Sequence, residues 1–206
     1  MTCLISNAKK YFYAKKYQKA LELFDLKNDY YSAGLCCLLL KDEEKAKKYW
    51  KKSASINPAS QWGLNVLDLI HLKKPKHKLS FFQTRAQLEI YLNLFIENKL
   101  IEWTQNLISS HEILYNANPE SYKFIARALF SNGYIDLAIT FCKKTLNLFY
   151  SDPEAFLILS QCYFLLGDLG EALDCINKVN SMVSEYYPAL LFEKIIREEI
   201  DKKYQH

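Results

Sequence analysis

The chain has 206 residues, half of them apolar and 24% charged, with only five Gly and five Pro; this is well under half the usual Gly and Pro share of roughly 12%. So few turn residues exclude sandwiches and barrels, and the apolar content excludes a disordered, collagenous or disulfide-scaffold chain. The net charge of +4 is unevenly placed, with sixteen Lys against seven acids in residues 1–79 and eleven Lys and Arg against sixteen acids in residues 80–206.

In chain order, residues 2–26 read as two short amphipathic helices, with Leu4, Ala8 and Tyr11 on the first and Tyr17, Ala20 and Phe24 on the second. Residues 29–58 place Tyr30, Ala33, Gly34, Cys37, Ala46, Trp50 and Pro58 at a spacing of aromatic, small, Gly, apolar, then Ala, aromatic and Pro. A further helix is predicted over residues 59–72, directly after Pro58, carrying Trp62. The run KKPKHKLS follows it, where Pro75 breaks any helix. A boundary is therefore expected near residues 73–79, with a basic block at 1–72, a junction at 73–84 and a second block at 85–206.

Residues 85–118 read as a helix bearing Leu88, Leu92 and Phe95 and a partner helix bearing Ile101, Thr104 and Ile108. Beyond them, Pro119, Glu120, Tyr122, Gly133 and Ala138 recur 34 residues later as Pro153, Glu154, Phe156, Gly167 and Ala172. Each unit is a helix, a Gly-containing turn and a second helix; Gly133 and Gly167 stand where a left-handed cap is needed. The segment from Tyr186 onward, with Pro188 at the start of its helix and charged after Ile196, is expected to cap the array with one polar face. Gly63 and Gly170 have no clear role in this pattern.

The period of 34 and the interval from Tyr30 to Pro58 resemble the tetratricopeptide repeat. The resemblance implies an all-α, right-handed α-α superhelix of about five helical hairpins with a C-terminal capping helix. It also implies a concave groove lined by the second, fifth, ninth, twelfth and thirteenth positions of each repeat. Those positions are Asn28, Tyr31, Leu35, Leu38 and Leu39 in one copy, Glu120, Lys123, Arg127, Phe130 and Ser131 in another, and Glu154, Leu157, Gln161, Phe164 and Leu165 in the next. Leu35, Leu38, Leu39, Phe164 and Leu165 read equally well as core residues packed against adjacent helices. Lys123 and Arg127 lie four apart on one helix face and could meet a carboxylate together; reversing both charges is expected to weaken partner capture and leave thermal stability nearly unchanged. Chaperone-binding members of the family clamp a peptide carboxylate with a Lys/Asn/Asn/Lys/Arg set, but Ile5 and Lys9 stand at the fifth and ninth positions of the first copy, so that set is not reproduced.

No constellation for catalysis is visible. No Gly-rich phosphate loop exists, and His71, His77, His111 and His206 are isolated. The six cysteines, Cys3, Cys36, Cys37, Cys142, Cys162 and Cys175, show no ligand spacing and read as buried reduced thiols. Nothing resembles a signal peptide or a membrane span. The expected molecule is thus a non-enzymatic, cytoplasmic protein-interaction scaffold, with no cofactor, metal or membrane partner. Its partner is expected to be a protein or peptide, acidic if it meets the basic block.

One alternative is an accessory subunit or module of a larger assembly (ubiquitin-ligase, secretion or glycosyltransferase-linked), a homo-oligomer pairing through terminal helices. Nucleic-acid binding through the Lys-rich block ranks below both, because Arg85, Arg127 and Arg197 all lie in the acidic half and Arg is the residue that forks onto phosphate and guanine. Phe81/Phe82 and Tyr186/Tyr187 fall outside the repeat register and would be contact residues if exposed.

Overall fold

The computed structural model describes residues 2–78, 80–115 and 120–204, and side chains within these except at 2–6, 115 and 204. Pro119 and His206, and the side chains of Cys3, Leu4 and Ile5, therefore lie outside the described residues. Every regular element described is helical. The elements are α1 (Thr2–Tyr13), α2 (Tyr17–Leu26), α3 (Tyr30–Leu39), α4 (Glu43–Ser53), α5 (Pro58–Ile70), α6 (Phe81–Ala86), α7 (Leu92–Glu97), α8 (Ile101–Ser109), α9 (His111–Tyr115), α10 (Ser121–Ser131), α11 (Ile135–Leu148), α12 (Pro153–Leu165), α13 (Leu169–Met182) and α14 (Tyr187–Tyr204). A π-helical turn, Gln87–Tyr91, joins α6 to α7 without a break. Among the described residues no helix is long and apolar enough to cross a membrane.

Local chemistry sets most helix ends. Asp29, Asp42, Asn57, Asp152 and Asp168 accept backbone N–H bonds at the starts of α3, α4, α5, α12 and α13, each a cap of about 1 kcal/mol. Pro58 and Pro153 occupy the first turn, where a missing N–H costs nothing. The turns α1–α2, α3–α4, α7–α8, α10–α11 and α12–α13 each use one left-handed residue: Lys15 (φ 57°), Lys41 (64°), Lys99 (57°), Gly133 (79°) and Gly167 (79°). The last three lie 34 residues apart, so a degenerate copy keeps the backbone conformation even where Lys replaces Gly.

The chain divides into two compact units, Met1–Gln83 with Glu97–Ile113, and Thr84–Ile96 with Leu114–His206. In the first unit, α1 pairs with α2 and α3 with α4, and α5 stacks on α4. The helix packed against the far part of α5 is α8, which lies beyond α6 and α7 in the chain. Asn106 on α8 donates to the Ile70 carbonyl at the end of α5, 2.8 Å away. Residues 85–118 therefore do not form the single hairpin expected of them: residues 84–96 pack in one unit and α8 in the other. Ile101, expected in a core, is 68% exposed, and Leu107 is the buried residue of α8.

The first unit centres on Trp50, fully buried. Its ring lies between Gly34 on α3 and Gly63 on α5, where an added Cβ would stand 2.2 Å and 2.4 Å from ring atoms. Gly63 thus has a role: it admits the second face of the indole. In the second unit, Phe124, Ile125, Leu129 and Ala138 fill the α10–α11 hairpin, and the π-helical turn, with buried Leu88 and Tyr91, packs against α10. Ala172, Ile176, Val179, Ala189 and Ile196 form the core beneath α14. The outer face of α14 is less polar than expected of a cap, because Tyr187, Leu190, Leu191 and Ile195 stay exposed.

Candidate interaction surface

The first helices of the second unit carry a ladder of alternating charge. Lys123 on α10, only 6% exposed, sends Nζ to Asp152 at 2.7 Å, Glu120 at 3.0 Å and Glu154 at 3.2 Å. One turn further along α10, Arg127 pairs with Glu154 on α12 and reaches Glu89 in the π-helical turn at 3.2 Å. Glu89 also meets Arg85, 3.3 Å away. Three cations and four carboxylates thus tie three successive first helices together. Burial lowers the pKa of Arg127, opposed by the Glu89 carboxylate, which raises it.

The helical register produces this ladder. Arg85 and Glu89 are four apart, as are Lys123 and Arg127, so each pair shares a face. Asp152 is held by a separate duty, because its other carboxylate oxygen caps α12 at Ala155 N–H, 2.9 Å away. The ladder makes Lys123 a structural ammonium. Asp152 is nearly buried and Glu120 and Glu154 are partly so, and carboxylates gathered around one ammonium repel one another without it; charge reversal at Lys123 and Arg127 is therefore expected to lower thermal stability, where the sequence suggested no effect. Both cations face inward partners before any ligand arrives.

The remaining groove positions fall into two sets. Leu35, Leu38 and Leu39 are buried core residues of α3. Leu157 belongs to the core under α14, and Phe164 packs edge-on against Phe192 at 5.3 Å. Asn28 is exposed, in a left-handed turn (φ 57°), and its side chain accepts from the Tyr30 hydroxyl. Tyr31, Phe130, Gln161, Glu120 and Glu154 are half-buried, and Ser131 and Leu165 are exposed. Sequence reasoning missed Glu89 and Asp152. Asp152 directly precedes Pro153 and was recognisable as a cap, but its pairing with Lys123 spans 29 positions and has no local signal.

Sulfur chemistry has little purchase here. Cys36, Cys37, Cys142, Cys162 and Cys175 are free and buried. Burial raises every one of these thiols, Cys36 and Cys162 to about 12, Cys37 and Cys175 to about 11, with neighbouring thiols or carboxylates adding to it. Cys142 is raised too, by burial and then by Cys162. Thiolate, the nucleophilic and metal-binding form, is therefore scarce at neutral pH. Among the described residues no group of three or more His, Cys, Asp or Glu is placed to hold a metal ion.

Of the aromatic pairs outside the repeat register, Phe82 is 76% and Phe81 41% exposed, edge-on to each other at 5.4 Å. Tyr187 is exposed and Tyr186 packs against the core beneath α14.

Residues 30–60 match the tetratricopeptide-repeat family model. No curated protein matches the sequence. Among solved structures, the C-terminal part of a tetratricopeptide-repeat-containing protein from Cytophaga hutchinsonii is similar at 18% identity over 97% of this chain and 72% of that one, with a TM-score of 0.48. PilW, described as a type IV pilus biogenesis factor, is similar at 16% identity over 97% of this chain and 86% of its own, TM-score 0.47. YrrB, described as a TPR protein with an unusual peptide-binding site, is similar at 18% identity, 93% of this chain and 90% of its own, TM-score 0.41.

Proposed function

We propose that this chain, which carries a tetratricopeptide repeat at residues 30–60, is a non-enzymatic scaffold that holds a protein or peptide on the faces of its first helices. The observation that carries this reading is the face shared by α10 and α12 in the second unit. Lys123 and Arg127 tie the two helices together through Asp152 and Glu154, and half-buried Phe130 and Gln161 follow three residues after Arg127 and seven after Glu154, at spacings that keep to one helix face. A face whose helices are already fixed loses little entropy when a ligand docks. An aromatic edge and a side-chain amide beside fixed charges suit a peptide or helix laid along the surface.

The mechanism is binding without bond chemistry. Arg127 and Glu154 would orient polar groups of the ligand, Phe130 would supply apolar contact, and Gln161 would offer both a donor and an acceptor. The double substitution Phe130→Ala with Gln161→Arg tests it without touching the ladder. Affinity capture from native lysate, read by mass spectrometry, is expected to lose its specific partners with this variant while the melting temperature stays within a few degrees. Unchanged capture would remove this face from the proposal.

A further inference from the structure

A cleft of about 410 Å³ lies in the first unit, within the size range of small-ligand sites. One wall is α4, presenting Lys47 and Lys51, four apart on the same face; the floor is Leu64 and Leu67 of α5; the other wall is the segment after α5, with His71, Lys73, Lys76 and His77. The cleft belongs to the second helix of one hairpin and the segment after the next first helix, and shares no residue with the groove positions derived above.

The outer wall is a built one. Leu72 takes a left-handed conformation (φ 54°), and the Lys73 N–H returns to the Asp68 carbonyl at 2.8 Å. Further on, the His77 backbone is pinned twice by Asn65: its N–H donates to Asn65 Oδ1 at 3.1 Å, and Asn65 Nδ2 donates to its carbonyl at 3.0 Å. Asn65 is 1% exposed, so a buried polar side chain is committed to holding this segment against α5. His71 Nε2 meets Glu43 Oε2 at 2.6 Å and ties the same segment to α4.

The charges do not balance inside. Four Lys line the cleft against three carboxylates, Glu43, Glu44 and Asp68, of which Glu43 also contacts His71. Among the described residues, Lys47, Lys51, Lys73 and Lys76 have no carboxylate within ion-pair distance. Four lysines line a cleft that Leu64 and Leu67 also line.

We infer that this cleft binds an acidic peptide segment, with carboxylates on Lys47, Lys51, Lys73 and Lys76 and an apolar side chain on Leu64 and Leu67. The inference rests on the scaffold reading above and assigns it a second site and a ligand charge. A peptide fits better than nucleic acid for two reasons. The cations are all Lys, without the guanidinium fork that phosphate backbones select. Glu44 and Asp68 would also repel a continuous row of phosphates, while a peptide can turn its N–H groups to them.

The test is fluorescence anisotropy on the full chain with a labelled octapeptide of glutamates carrying Leu at its third and sixth positions. Binding is expected to weaken with added salt and to fall at least tenfold in Lys47→Glu/Lys51→Glu and in the milder Lys47→Gln/Lys51→Gln, both on exposed positions. It should stay within twofold in Lys9→Glu/Lys10→Glu, which changes the same charge on α1, and in Phe130→Ala/Gln161→Arg. An equal loss in the α1 variant, absence of peptide binding, or tighter binding of a single-stranded oligonucleotide at the same cleft overturns the inference. None of these outcomes alters capture through the α10–α12 face, which the Phe130/Gln161 variant reads separately.

Discussion

Lys123 shows how far a residue's role depends on what surrounds it. In the sequence it is one cation of a pair on a helix face; in the fold it is the centre of three carboxylates and almost without solvent. Replacing it by Met leaves Asp152 and Glu120 without a counter-charge and Glu154 with Arg127 alone. The expected cost is about 3 kcal/mol, or a melting temperature lower by about 6–12 °C in a chain of this size, measured by thermal unfolding at low salt. Gly63 is the apolar counterpart. A methyl group there would enter the Trp50 ring, and Trp50 cannot retreat, because Gly34 contacts its other face and its Nε1 donates to the Tyr31 carbonyl at 3.1 Å. Gly63→Ala is expected to destabilise by about 1–3 kcal/mol, read from urea unfolding followed by Trp fluorescence. Neither role was legible from the sequence, since Lys123 meets carboxylates of two helices and Gly63 packs where three helices meet.

Among the elements, helices and hairpin turns were the legible part. Caps at Asp29, Asp42 and Asn57, the prolines at 58 and 153, and the glycines at 133 and 167 act within a few residues, so local sequence is enough to place them. The turns at Lys15, Lys41 and Lys99 keep the left-handed conformation without the residue that adopts it most readily. A non-Gly residue in that region carries about 1–2 kcal/mol of strain, partly offset by the greater freedom of an unfolded Gly. Lys41→Gly and Lys99→Gly are each expected to raise the melting temperature by about 2–4 °C; a decrease would mean that the Lys side chain makes a contact worth more than the strain. Less legible was the partner of α5. The sequence after Pro75 offers no adjacent second helix, and α8 fills that place after the whole of α6 and α7, a pairing no short-range pattern encodes.

For the whole molecule, the buried thiols link packing to pH. Each of the five described cysteines holds its proton more tightly folded than unfolded, because burial disfavours the thiolate. Between the ordinary thiol value of about 9 and the folded values, the native state binds more protons than the unfolded state, so stability falls as pH rises. Their contribution is complete below pH ~9 and is lost progressively toward pH ~12. Melting temperature measured across this range is expected to drop steadily, and a disulfide-exchange reagent at pH 8 should modify these thiols at the rate of global unfolding. Rapid modification of the native chain would show that burial does not protect them.

The sequence by itself determined the all-α class, the 34-residue period, most helix boundaries and the small residues at helix contacts, because caps, turns and apolar periodicity act over one or two turns of helix. The tertiary structure decided which helices share a unit, why Gly63 is Gly, and that Lys123 and Arg127 are neutralised by Glu89, Asp152 and Glu154. These are matters of charge and volume among residues distant in the chain, where the energy depends on separation in space and no spacing in the sequence records it.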